Sequence, residues 1–278
     1  MAGLELTSIR SPRVKSARRL AKRSFRQQDR RFLAEGPQAV REALALEGGL
    51  VELYTTADAA GRHAELIAAA EKAGVPVLRV SGEVMAELAQ TVTPQGLLAV
   101  CAFLDVPLGT ALRAPDGDGG GPRLVTVLSH VRDPGNAGTV LRASDAAGAD
   151  AVIFTDASVD PYNGKCVRAS AGSLFHLPVV TGPRYDTLIP ALKDAGLTVL
   201  AADGAGEHTL DDLADEGALS RPTAWVFGNE AWGLPEEVRA LADDVVRVPI
   251  HGKAESLNLA TAAAVCLYAS ARAQRRVR

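Results

Sequence analysis

Short apolar runs alternate with longer stretches of mixed character along the 278 residues, the pattern of strands followed by helices. Phe32-Leu33-Ala34-Glu35 predicts a short strand, and Gly36-Pro37 then opens a helix through about Leu46, proline being tolerated in a first turn. LVELYTT (50–56), a helix near 61–73, VPVLRV (75–80), a helix near 82–90 and GLLAVCAF (96–103) complete a small α/β unit over residues 1–105. Residues 106–122 are rich in Gly, Pro and Asp and predict a linker. From 123 to 278 the alternation restarts with RLVTVLSHV (123–131), a helix near 136–147, DAVIFTD (150–156) and LPVV (177–180). A helix near 185–195, LTVLAAD (197–203), AWVFG (224–228), VVRVPI (245–250) and a last helix from Ser256 to about Gln274 follow. These later strands are nearly continuous in apolar residues, so both faces should be covered, as in a parallel sheet. The alanines of the last helix, among them Ala260, Ala263 and Ala271, permit close packing in a core or at an interface.

Composition narrows the class. An apolar share of 47% is ample for a core. No apolar run approaches the roughly 18 residues that span a bilayer, and MAGLELTSIRSPRVKSARRL lacks the apolar centre of a signal peptide, so a cytoplasmic protein with no membrane partner is expected. Cys101, Cys166 and Cys266 are widely separated, and His63, His130, His176, His208 and His251 show no ligand spacing, so neither disulfides nor a metal is expected. Charge adds more. Net charge is −3, yet residues 1–31 hold ten Lys or Arg against two acids. Such a basic arm on an acidic protein suits a polynucleotide, with Arg10, Arg18, Arg19, Lys22 and Arg23 as candidate phosphate contacts; a solvated basic helix without a partner is the competing reading.

Three loops hold the candidate chemistry. Strand WVF runs into Gly228-Asn229-Glu230-Ala231-Trp232-Gly233, and VVRVPI runs into His251-Gly252-Lys253-Ala254-Glu255-Ser256-Leu257-Asn258. The third, Ser129 to Gly138, passes through Asp133-Pro134-Gly135-Asn136 into a helix on which Arg142 follows Gly138 by one turn. In an open α/β sheet ligands collect at strand carboxyl ends beside helix amino ends, where Asn136 and Arg142 would match phosphate or ribose oxygens. Each loop taken alone also reads as ordinary turn chemistry.

Together the three loops resemble the three motifs of the SpoU (TrmH-like) family of RNA ribose 2′-O-methyltransferases. Asp133-Pro134-Gly135-Asn136-Ala137-Gly138 with Arg142 is similar to the first motif, Phe227-Gly228-Asn229-Glu230 with Gly233-Leu234-Pro235 to the second, and Val248-Pro249-Ile250 with Glu255-Ser256-Leu257-Asn258-Leu259-Ala260 to the third. Arg168 to Phe175 resembles a further family segment, and Phe32 to Gly36 resembles the L30e-like substrate-binding domain that precedes the catalytic one. The resemblance implies a SPOUT-type parallel sheet flanked by helices with a carboxyl-terminal deep trefoil knot, S-adenosylmethionine as methyl donor, and a homodimer. It also implies cofactor contacts at Gly228, Val248, Ile250 and Leu257, with Ala202 a weaker candidate, and catalytic roles for Arg142, Asn136, Glu230, Ser256 and Asn258.

A ribose hydroxyl is a poor nucleophile near neutral pH, so its proton must be accepted or shared. By resemblance Arg142 does this. A guanidinium ordinarily stays protonated, so binding phosphate or stabilising the developing alkoxide stands open beside that role. Ser256 and Glu230 keep structural alternatives, as a helix cap and as a loop brace. Ribosomal RNA is the preferred substrate and transfer RNA the alternative. With aromatics at 4% no base-stacking platform is legible, and specificity is expected from RNA shape and the amino-terminal domain. Two rivals stand: a dinucleotide-binding enzyme using Gly204-Ala205-Gly206-Glu207-His208-Thr209, which lacks the third glycine, and a non-catalytic RNA-binding protein.

Overall fold

The computed structural model describes residues 5–113, 121–229 and 231–276 and resolves two compact units. One comprises residues up to Leu104 together with Tyr162–His176, the other Asp105–Pro161 with Leu177 onward. The first unit holds β1 (Arg31–Glu35), β2 (Leu50–Thr55), β3 (Val77–Arg79) and β4 (Leu97–Ala102) in the order β1-β4-β2-β3, with only the β2–β3 pair parallel.

The basic segment is no tail. It forms helices Pro12–Arg19 and Arg23–Asp29, and Val14, Ala17 and Leu20 at helical spacing enter the core of this unit with Tyr54, Met85 and Leu98. Apolar residues at one-turn intervals hold the segment down while most of its charges face water; Arg26 is buried and donates to the Leu20 and Ala21 carbonyls at 3.0 and 2.8 Å. Tyr162 contributes as well. Its ring stacks on Phe103 at 3.9 Å and lies 4.8 Å from Phe32, so Tyr162–His176, far along the chain, join the first unit.

The second unit holds seven strands, all parallel: β5 (Leu124–Leu128), β6 (Ala151–Phe154), β7 (Val179–Thr181), β8 (Thr198–Ala202), β9 (His208–Thr209), β10 (Thr223–Phe227) and β11 (Asp244–Arg247). Their order is β7-β6-β5-β10-β8-β11-β9. Every residue of β5, β6 and β10 is buried, as their continuous apolar runs require. The last helix, Leu259–Arg276, is tied to β10 by the Trp225 indole, which donates to Ser270 Oγ at 2.9 Å, and Gln274 donates to the Arg123 and Arg221 carbonyls at 3.0 and 2.9 Å.

Several expectations change. The stretch expected as a linker is ordered over 106–113: Leu108–Ala111 is helical, and Val106, Leu108, Ala111 and Leu112 pack on the core of the second unit. Residues 114–120 of it lie outside the described residues. The last strand stops at Arg247, two residues before Pro249. The Gly204–Thr209 stretch is no phosphate loop, because a Cβ on Gly206 would collide with the Val245 carbonyl; glycine is there to let β9 approach β11. Among the described residues no helix is long and apolar enough to cross a membrane, and no group of His, Cys, Asp or Glu is arranged to hold a metal.

Candidate functional site

At the carboxyl ends of β8, β10 and β11 the second unit builds a cavity of about 480 Å3, within the range of roughly 300–1,000 Å3 typical of small-molecule sites. All five residues expected to hold a cofactor, Ala202, Gly228, Val248, Ile250 and Leu257, line it, and so does Ser256.

The loop after β10 is shaped by main chain. Asn229 and Gly233 exchange backbone hydrogen bonds of 3.0 and 2.9 Å, closing a tight turn, and Gly233 takes φ +68°. A Cβ on Gly228 would stand 2.5 Å from the Gly233 backbone, so only glycine fits where the strand end meets the turn. Asp203 steadies the base of this loop by accepting from the Leu234 amide at 3.0 Å and the Ala205 amide at 3.0 Å. Apolar side chains of Val248, Ile250 and Leu257 facing loop amides and carbonyls suit a flat nucleoside without calling for a charge.

The loop after β5 is braced on every side. His130 has a left-handed backbone, φ +55°, unusual for a residue with a side chain. Its carbonyl accepts from Asn229 Nδ2 at 3.1 Å, its Nδ1 lies 3.2 Å from the Tyr185 hydroxyl, and that hydroxyl lies 2.6 Å from Ser129 Oγ. Burial pushes the Tyr185 phenol above its ordinary pKa, the Ser129 bond opposing it, so this hydroxyl keeps its proton at neutral pH. Asp133 then caps helix Pro134–Ala147 by accepting from the Asn136 amide at 2.8 Å, with Pro134 in the first turn.

The first and third motif loops meet directly. Asn258 Nδ2 donates to Asn136 Oδ1 at 3.2 Å, while Asn258 Oδ1 accepts from the Ala260 amide at 2.9 Å. Asn258 is therefore the cap of the last helix, which begins at Leu259 and not at Ser256; Ser256 is exposed at the cavity and caps no helix among the described residues. Arg142 is exposed on helix Pro134–Ala147, outside the cavity lining and without an ion-pair or hydrogen-bond partner among the described residues. Glu230 lies outside the described residues.

Two residues go beyond the sequence reading. Asn229 is the strut between the second and first loops, and Trp232, 52% exposed, lines the cavity with the Arg132 guanidinium 4.9 Å from its ring centroid. The signal for Trp232 was an aromatic inside a polar, glycine-bearing loop. In the first unit Arg10, Lys22 and Arg23 are exposed, but Arg18 pairs with Glu87 and Arg19 holds Asp29 through two nitrogens at 2.6 to 3.0 Å, so the arm's charge is partly neutralised within the fold.

Comparison with known proteins agrees with this geometry. Residues 123–268 match the model of the SpoU rRNA Methylase family, and residues 11–99 match the MRM3-like substrate binding domain. The 23S rRNA (guanosine(2553)-2′-O)-methyltransferase RlmP of Bacillus subtilis is 32% identical over 266 residues, 95% of this chain and 98% of that protein. The AdoMet-bound rRNA methyltransferase of Sinorhizobium meliloti superposes with a TM-score of 0.81 at 30% identity, covering 97% of both chains. The SpoU methyltransferase AviRb of Streptomyces viridochromogenes, solved with AdoMet, gives 0.80 at 28% identity, covering 96% of this chain and all of that one. With the second and third motif loops lining one cavity, the first hydrogen-bonded to the third, and relatives of matching length, the chain belongs to the SpoU rRNA methylase family.

Proposed function

We propose that this protein transfers a methyl group from S-adenosylmethionine to a ribose 2′-hydroxyl of ribosomal RNA. The observation that carries the reading is the cavity where Gly228 of the second motif meets Val248, Ile250, Ser256 and Leu257 of the third, joined to the first motif by the Asn258–Asn136 bond. The RlmP relative is named for this reaction on 23S rRNA, and two matched structures are described as AdoMet-bound.

When bound, S-adenosylmethionine supplies a methyl group already activated by the sulfonium charge. The residues of this chain position and polarise. Main chain around Gly228 and the apolar side chains of Val248, Ile250 and Leu257 hold the adenosyl part. Ser256, exposed at the rim, and the coupled amides of Asn136 and Asn258 orient the incoming ribose. Arg142, charged and without an internal partner among the described residues, binds an RNA phosphate and stabilises negative charge growing on the ribose oxygen. Positioning of this kind can supply much of the acceleration for an activated donor. Glu230, outside the described residues, keeps in this reading the role the motif resemblance implies, holding the loop or Arg142.

The amino-terminal unit binds the RNA, with Arg10, Lys22 and Arg23 contacting phosphate, and Arg18 and Arg19 available only by exchanging their carboxylate partners. Exposed ion pairs are worth roughly 0–1 kcal/mol, so a phosphate could displace them. A homodimer through the last helix is part of the reading, supported by Val265 and Tyr268, 40% and 52% exposed on it. Acting on ribosomal RNA, the enzyme works in the cytoplasm.

The test is transfer of labelled methyl to 23S rRNA and tRNA transcripts, with the product mapped to the ribose. Arg142→Ala should lose about 100-fold or more in kcat, as removal of one charge-stabilising donor does, while still binding S-adenosylmethionine. Label found only on a base, or only in tRNA, would sink respectively the reaction or the substrate.

A further inference from the structure

The two tryptophans live in opposite environments. Trp225 is fully buried in β10 and hydrogen-bonded to Ser270, whereas Trp232, in the loop after that strand, is 52% exposed. Turn geometry does not explain an aromatic there, since the turn closes through the backbones of Asn229 and Gly233. The Arg132 guanidinium lies over the indole, 4.9 Å from its centroid, reaching across from the loop that follows β5. Phe227, another aromatic at the cavity, is buried. Trp232 with Arg132 is thus a flat, cationic, half-exposed surface at the cavity's rim.

We propose that Trp232 and Arg132 form a stacking platform for an unpaired base of the RNA substrate beside the methylated ribose. The inference rests on the reaction assigned above. In-line transfer brings a ribose oxygen to the cavity, and the base on that sugar is then carried within a few ångströms of the rim. Inside an A-form duplex a base is covered on both faces and can offer neither; a splayed base needs a new surface. An indole supplies one for any base, and an arginine above the ring adds cation–π contact and an attraction for the flanking phosphates.

Fluorescence reads this directly in the full-length protein, because Trp225 is shielded and Trp232 is not. Titration with an unstructured oligoribonucleotide should quench the exposed component of the emission, its fully complementary duplex should not, and Trp232→Phe should abolish the quenching. In methyl transfer, Trp232→Ala should raise KM for 23S rRNA roughly 5- to 150-fold, the usual cost of losing one stacked base, with Trp232→Phe recovering most of it. Quenching by S-adenosylmethionine alone, with no further change on adding RNA, would assign the ring to the donor and overturn the platform. So would a Trp232→Ala enzyme that methylates with an unchanged KM for RNA, a result that leaves the methyltransferase reading intact. Absence of methyl transfer in the wild-type protein strikes that reading instead, while the quenching experiment still decides the platform.

Discussion

Gly228 shows how little room the site leaves for variation. Its missing side chain is what lets the strand end and the Asn229–Gly233 turn come together, and the nearest atoms to an added Cβ are backbone that cannot rotate aside. Gly228→Ala should therefore displace the turn, at a cost of about 1–3 kcal/mol in thermal unfolding and a larger loss in S-adenosylmethionine affinity than in stability. Calorimetry of unfolding and of ligand titration separates the two. A milder case is His208, whose Nδ1 lies 2.9 and 3.0 Å from the two Asp244 carboxylate oxygens; that hydrogen bond raises the imidazole pKa. Because the folded value is raised, the pair's contribution is fully present below imidazole's ordinary value of about 6.5 and fades as pH climbs through the raised one. Asp244→Asn should return the His208 midpoint, followed by NMR, toward the ordinary value. At this scale the sequence was legible in placement, as for Gly228 and Leu257, which both line the cavity. It was silent on Asn229, whose partner His130 lies 99 residues away in the chain, and on the Trp232–Arg132 contact.

Among elements, the last helix depends on one side chain that does two jobs. Asn258 caps it with Oδ1 and reaches Asn136 with Nδ2. Asn258→Asp keeps the acceptor and removes the donor, so the melting temperature should hold while kcat falls; Asn258→Ala should lose both, with about 1 kcal/mol of stability from the cap. Wild-type activity in Asn258→Asp would deny the link to Asn136 any positioning role. The basic helices predict a different measurement. Replacing Lys22 and Arg23 by Ala should reduce the slope of log affinity for single-stranded RNA against log salt by about 0.7 per contact, and replacing Arg18 and Arg19 should reduce it less, since each is already paired. Parallel strands were readable because burial on both faces leaves unbroken apolar runs. Helix starts were less so: serine and asparagine, two residues apart before the last helix, are equally good caps by type, and only packing selects Asn258.

For the whole molecule, Val265 and Tyr268 leave part of the last helix uncovered in one chain. Sedimentation should therefore give twice the mass of 29.0 kDa, and charged substitutions at both positions should return the protein to a single chain. The restart of the apolar pattern near residue 123 does not coincide with the bounds of the two units, since the second begins at Asp105 and nothing local marks Tyr162–His176 as belonging to the earlier one. That excursion has a consequence for how such proteins can be recombined. The chain passes between units three times, after Leu104, Pro161 and His176, and the ring that stacks on Phe103 is encoded within the span matched by the methylase model. The binding module and the methylase are therefore not interchangeable cassettes. A graft joined in the glycine-rich stretch would carry the recipient's Tyr162 segment into the donor's aromatic cluster, so the two modules should be exchanged as a matched set.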